Sequence, residues 1–185
     1  MPHRLGRLPP PPDLKAPPRE LVAALRTHLT EADAAGRCAD LLTGADPAGH
    51  ADLLPYLAGR PGAAYPADGW GEHWPRVWGA RGLLYLWDDS ATDAVLAGLR
   101  DDAWRVAEMC LKVCALRDLP AGDDAVRLAR HELPRVRTAA ARALGEAGDV
   151  EHVTAVEDLV DDGSEEVRRA AHRALERMRA RLDLS

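Results

Sequence analysis

The stretch from Val136 to Met178, VRTAAARALGEAGDVEHVTAVEDLVDDGSEEVRRAAHRALERM, decides the architecture. At 100° per residue, a valine and the residues 3, 4, 7 and 8 places after it fall on one stripe of a helix. Those positions hold Val136, Ala139, Ala140, Ala143 and Leu144 in one half and Val167, Ala170, Ala171, Ala174 and Leu175 in the other. Small residues in the middle of the stripe let neighbouring helices approach closely, while valine and leucine fill its ends. Offsets +2, +5, +6 and +9 point away, giving Thr138, Ala141, Arg142 and Gly145, then Arg169, His172, Arg173 and Glu176. Start and stop signals agree. Pro134 suits a first helical position, Ser164 ahead of Glu165 and Glu166 suits an N-cap, and Gly145 and Gly148 suit an exit turn.

The same pattern recurs toward the N-terminus. Segments beginning Arg76-Val77, Arg105-Val106, Arg135-Val136 and Glu166-Val167 align without gaps, their valines 29, 30 and 31 residues apart. Shorter helical segments centred on Val95, Val126 and Val156 lie between them, separated by 31 and 30 residues. Two interleaved helices sharing one period mark an α-solenoid. No alternating β-branched run survives anywhere, so the expected fold is all-α, an α-α superhelix over residues 75–185. Ahead of it, residues 19–74 predict a helical cap, with helices over 19–29, 31–42 and 47–57 and a loop over 59–71. Residues 1–18, with Pro9 to Pro12 and Pro17-Pro18, predict a stiff and partly disordered leader. Residues 19–185 are expected to form one globular unit.

Composition narrows the function classes. The 185 residues include 34 alanines and no Phe, Ile, Asn or Gln, with 22 arginines against two lysines. That bias points to a GC-rich bacterial genome. No apolar run approaches the length of a membrane span, and the N-terminus lacks the apolar region of a secretory signal. Three cysteines make no disulfide framework, which suits a reducing cytoplasm. The net charge of −6 divides into +3 for residues 1–30 and −9 for residues 31–185. An acidic body repels phosphate backbones and counts against nucleic acid as a partner.

Catalytic motifs are missing. There is no phosphate-binding glycine loop, no His-Glu-x-x-His and no Gly-x-Ser-x-Gly, and no cofactor or metal is expected. Cys110 and Cys114 stand four apart but fall on the core stripe, with no histidine or third cysteine to complete a zinc site. The acidic pairs Asp88-Asp89, Asp101-Asp102, Asp123-Asp124 and Asp161-Asp162 read as caps and solvated corners.

The aromatics are different. All eight lie between Tyr56 and Trp104, with Trp74 and Trp78 four apart on one helical face. Two readings stand: tryptophans filling the joint between cap and repeats, or an aromatic-lined binding groove. Arg81 falls where other repeats bury Cys110, Ala140 and Ala171, so its charge needs a partner, with Asp88, Asp89 and Glu72 as candidates. The outward positions of the same helix hold Gly79, Gly82, Leu83 and Leu86, an apolar shelf that something must cover. The expected binding surface is a groove built from Trp74, Trp78, Arg81, Leu83, Leu86 and Trp104, with the N-terminal helices over part of the shelf.

The residues quoted from Val136 to Met178 resemble the short HEAT-like repeats also found in phycobilisome-lyase-type proteins. The resemblance covers residues 75–180 and fades toward the N-terminus. It implies that the helices bearing Val-Arg-x-Ala-Ala line a concave side, and that a turn aspartate pairs with the arginine. Asp162 and Arg168 match that pattern. Arg137 matches with His131 at its turn position, Asp101 is followed by Ala107 where the arginine belongs, and the first repeat has Trp78 there. The function implied is a non-catalytic module that binds a protein partner or scaffolds an assembly. An alternative is a repair enzyme resembling the HEAT-like alkylpurine DNA glycosylases, for which Trp78, Trp87, Trp104, Asp88 and Asp89 are the matching residue types. A bilin lyase-like role has no cysteine–histidine chemistry behind it. The partner's identity and the oligomeric state are not legible in the sequence.

Overall fold

The computed structural model describes residues 7–66 and 70–183. It contains eleven α-helices and four short 3-10 turns, with no strand among the described residues. By compactness the chain divides between Ala91 and Thr92, not at Pro75.

The N-terminal unit holds α1 (Pro18–Ala24), α2 (Glu31–Leu42), α3 (Leu54–Ala58), α4 (Arg60–Ala63) and α5 (Trp74–Gly82). Helix α2 starts where Thr30 accepts a hydrogen bond from the Asp33 backbone N–H at 3.1 Å, and two acids in its first turn complement the dipole. It lies across α5, which the repeat alignment assigns to the solenoid. Gly79 and Gly82 explain this placement. A Cβ on Gly79 would stand 2.5 Å from the Cys38 carbonyl oxygen, and one on Gly82 would stand 2.6 Å from Cys38 Sγ. The glycines therefore bring α2 into contact with the apolar side of α5, and Leu83 and Leu86 are fully buried. The stretch expected as a loop carries the short helix α4.

Residues 7–18, read from sequence as part of a partly disordered leader, are tied to this unit. The Leu8 N–H donates to Asp52 Oδ2 at 2.8 Å, and the Tyr56 hydroxyl donates to the Pro9 carbonyl at 2.9 Å. The Arg60 N–H reaches the Leu14 carbonyl at 3.2 Å, and Leu8 and Pro11 are buried. A proline-stiffened run makes few hydrogen bonds of its own, so its carbonyls are open to donors from neighbouring helices. Met1 to Gly6 lie outside the described residues.

The second unit is the repeat array. Its long helices α7 (Trp104–Arg117), α9 (Pro134–Ala147) and α11 (Glu165–Leu182) lie side by side. The short helices α6 (Thr92–Gly98), α8 (Gly122–Leu128) and α10 (Val153–Glu157) each pack on the long helix that follows. The apolar stripe is buried as its spacing requires: Val136, Ala140, Leu144, Val167 and Ala171 are at most 1 % exposed. Substituting Ala140 or Ala171 by leucine adds bulk where no space exists. We expect a loss of ~1–3 kcal/mol for each in chemical denaturation.

Two features of α9 differ from the sequence reading. Gly145 lies inside the helix rather than in its exit turn, which begins at Gly148. A Cβ at Gly145 would stand 2.8 Å from Ala174 Cα, so the glycine sets the approach of α11. Thr138, Ala141 and Gly145, expected to point outward, are buried, and only Arg142 of that set is exposed. Helix α9 is flanked by α7, α8 and α11, whereas on α11 all four equivalent residues, Arg169, His172, Arg173 and Glu176, remain exposed.

Cys38, Cys110 and Cys114 are free and buried. Burial raises the Cys38 and Cys114 thiols to about 12 and the Cys110 thiol well above its ordinary value. A buried thiol held in its neutral form is a poor nucleophile. Thiol reagents should therefore label all three slowly in the native protein and rapidly once it is denatured, as read by mass spectrometry.

Candidate functional site

The turns that enter the long helices position everything on their exposed face. Asp101 Oδ1 accepts from the Ala103 N–H, His131 Nδ1 from the Leu133 N–H, and Asp162 Oδ1 from the Ser164 N–H, at 2.8–3.0 Å. Each is a side chain bonding the backbone two residues on. His131 thus does at its turn what aspartate does at the others. Ser164 occupies the N-cap position, but its hydroxyl makes no capping bond.

Asp162 does more than close its turn. Its carboxylate receives both arms of Arg137 on α9, with Nε to Oδ2 at 2.7 Å and Nη2 to Oδ1 at 2.8 Å. Arg168, which the resemblance paired with Asp162, donates instead to the Asp162 backbone carbonyl at 2.7 Å. The carboxylate–arginine pair therefore joins one repeat to the next. The Arg137 bond lowers the Asp162 carboxyl below its usual range, and Asp162 in turn raises Arg137.

The face of α7 and α9 carries a cavity of about 370 Å³, lined by Glu108, Lys112, Arg135, Thr138, Arg142 and Glu166 among others. Glu108 is only 4 % exposed. It is neutralised from two directions, by Lys112 Nζ at 2.7 Å and Arg135 Nε at 3.0 Å. Trp104 lies beside this arrangement, its ring 4.2 Å from the Arg105 guanidinium and 5.0 Å from that of Arg135. Arg135, Thr138 and Arg142 share one face of α9 at spacings of three and four residues. Thr138 is 3 % exposed, yet its hydroxyl has no hydrogen-bond partner among the described residues. Arg142 is exposed, and no carboxylate pairs with it among the described residues.

The residues read as a groove from the sequence are distributed differently. Trp74, half-buried, meets Trp70 edge-on at 5.6 Å and lies tilted against Trp78 at 6.0 Å. Trp78 is 2 % exposed and meets Tyr65 edge-on at 5.7 Å. Leu83 and Leu86 have no accessible surface, so neither presents itself to a partner. Arg81 pairs with none of Asp88, Asp89 or Glu72 among the described residues. Its Nη2 donates to the Leu57 carbonyl at 2.6 Å, while burial lowers the guanidinium from its ordinary value. A helix carbonyl stands close enough to replace the expected carboxylate. Trp104 belongs to the other unit, in the arginine-flanked position just described.

Asp88 and Asp89, weighed for catalysis, are engaged locally. Asp88 accepts from the Ser90 backbone and hydroxyl, and Asp89 accepts from the Trp87 indole N–H at 2.9 Å. No three metal-ligating side chains gather among the described residues. The α7–α9 cavity was missed because a single helix does not show it. The available signal was the register across repeats, which aligns Lys112 with Arg142 and Arg173, and Glu108 with Thr138.

Paired helices around an alanine-rich core, with the Arg137–Asp162 pair tying one repeat to the next, define a helical repeat array. The comparisons agree: residues 92–176 match the family model for HEAT repeats, so this part of the chain is a HEAT-like repeat array. No curated protein matches the chain. HEAT repeats generally mediate protein–protein interaction or scaffolding. No helix among the described residues is long and apolar enough to cross a membrane.

Proposed function

We propose that the protein is a non-catalytic interaction module that binds a protein partner through the exposed face of α7 and α9, in the cytoplasm of a bacterium. One observation carries this reading: Trp104 flanked by Arg105 and Arg135 at the edge of a cavity on a rigid helix ladder. Tryptophan and arginine concentrate binding energy when a partner excludes water from them. Three free buried thiols suit a reducing compartment.

The aromatic cluster of the N-terminal unit is the rival surface, and Trp74 is one of its half-buried members. Capture of partners from lysate with Trp104→Ala, Arg142→Ala and Trp74→Ala, each first checked for its helical spectrum, separates the two. We expect Trp104→Ala and Arg142→Ala to lose most of the captured protein and Trp74→Ala to keep it. The reverse pattern would place the binding surface in the N-terminal unit.

A further inference from the structure

We propose that the segment seated on this face is acidic, a stretch of a partner protein whose carboxylates repeat at about 10 Å. This deepens the interaction-module reading and rests on it. Lys112, Arg142 and Arg173 occupy the same position, six residues after the valine, in three consecutive long helices. Helices packed side by side are spaced by about 8–10 Å, so this position forms a row of three cations crossing the helices. Lys112 and Arg142 line one cavity, and Arg173 is exposed on the adjoining α11.

The row stands out against its surroundings. Residues 92–185 hold 15 basic and 19 acidic residues, a balance of −4. At the cavity the balance reverses: Lys112, Arg135 and Arg142 face Glu108 and Glu166. Glu108 is already shared between Lys112 and Arg135. Neither Arg142 nor Arg173 has an ion-pair partner among the described residues.

Thr138 supplies an independent observation. A buried hydroxyl without a partner is destabilising, and this one stands one helical turn from Arg142 on the wall of the same cavity. A carboxylate entering the cavity would accept from the hydroxyl and the guanidinium together. That satisfies the orphaned donor and neutralises the unpaired cation in one contact.

An acidic peptide fits this site better than nucleic acid. Glu108 and Glu166 border the cavity and interrupt the positive surface that a continuous phosphate backbone requires, whereas spaced carboxylates meet the three cations and avoid the acids. In a polyproline II segment, with three residues per turn, every third residue returns to the same face about 9 Å further on, which matches the row.

The test uses a fluorescein-labelled Glu-Ala-Ala repeat peptide, a Lys-Ala-Ala peptide of equal length and a labelled DNA duplex, read by anisotropy on the full-length protein at low salt. The Glu-Ala-Ala peptide should bind saturably and release on adding salt, and the Lys-Ala-Ala peptide should not bind. Arg142→Glu should weaken the acidic peptide at least tenfold, while Arg130→Glu, an exposed arginine outside the cavity, should leave it unchanged. Thr138→Val should weaken it about tenfold, the worth of a hydrogen bond to a charged group, and should raise the melting temperature of the free protein. Unchanged binding by Arg142→Glu, equal binding of both peptides, or tighter binding of the duplex would each overturn the proposal. If the acidic peptide fails but lysate capture still depends on Arg142, the acidic partner is wrong and the interaction module stands. If neither depends on Arg142, both fall.

Discussion

Trp78→Ala should destabilise the N-terminal unit by ~3–5 kcal/mol, the usual cost of truncating a large buried aromatic. The side chain is 2 % exposed and ringed by other aromatics, with Tyr65 at 5.7 Å, Trp70 at 5.6 Å and Trp74 at 6.0 Å. Edge-to-face contacts of this kind add to the area buried, and the short helices nearby offer little bulk to refill the space. Domain stabilities are of order 5–15 kcal/mol, so this one substitution removes a large share. Chemical denaturation followed by tryptophan fluorescence and far-ultraviolet circular dichroism measures the loss. Trp74→Ala, at a half-buried ring, should cost clearly less. Equal costs would mean that Trp78 is not the centre of the cluster. The same reasoning makes Trp74→Ala, not Trp78→Ala, the fair probe of binding in this unit.

Asp162→Ala should cost the repeat array ~3 kcal/mol, near the lower end of the range for breaking a buried ion pair. Its carboxylate is the only acid on Arg137 among the described residues, and the two side chains are 10 % and 17 % exposed. Removing it leaves a mostly buried guanidinium held by the His131 and Glu132 carbonyls alone, and those two remaining bonds keep the loss near the lower end. The turn also loses its bond to the Ser164 N–H. Asp162→Asn keeps that acceptor and removes the charge, so it isolates the ion pair. The sign of its pH dependence follows from linkage. The Arg137 bond holds the folded Asp162 carboxyl below its unfolded value, so the folded state binds fewer protons. The stabilisation is fully present above the unfolded value, near pH ~4, and disappears as pH falls through the lower folded value. The stability gap between wild type and Asp162→Asn should therefore be constant at neutral pH and shrink only below about pH 4. A gap that shrank between pH 8 and 6 would point to another group.

The sequence by itself determined the repeat architecture of the second unit. Its core stripe and period were legible because each repeat states the same pattern, and packing between identical patterns depends on local spacing. Burial of Cys110 and Cys114 was legible for the same reason. Tertiary structure decided the rest. The placement of α5 depended on Cys38 and Leu41 approaching Gly79 and Gly82 from α2, a close approach that no spacing within α5 announces. Burial of Leu83 and Leu86 followed from that packing and removed them from the expected groove. The leader was docked by carbonyls whose donors lie more than forty residues away. The cavity on α7 and α9 required two helices side by side, because Glu108 and Arg135 come from different repeats and meet only across the helix interface. Periodicity reports which face of a helix is buried, whereas a site is made where faces of different helices meet, and only packing sets their distance.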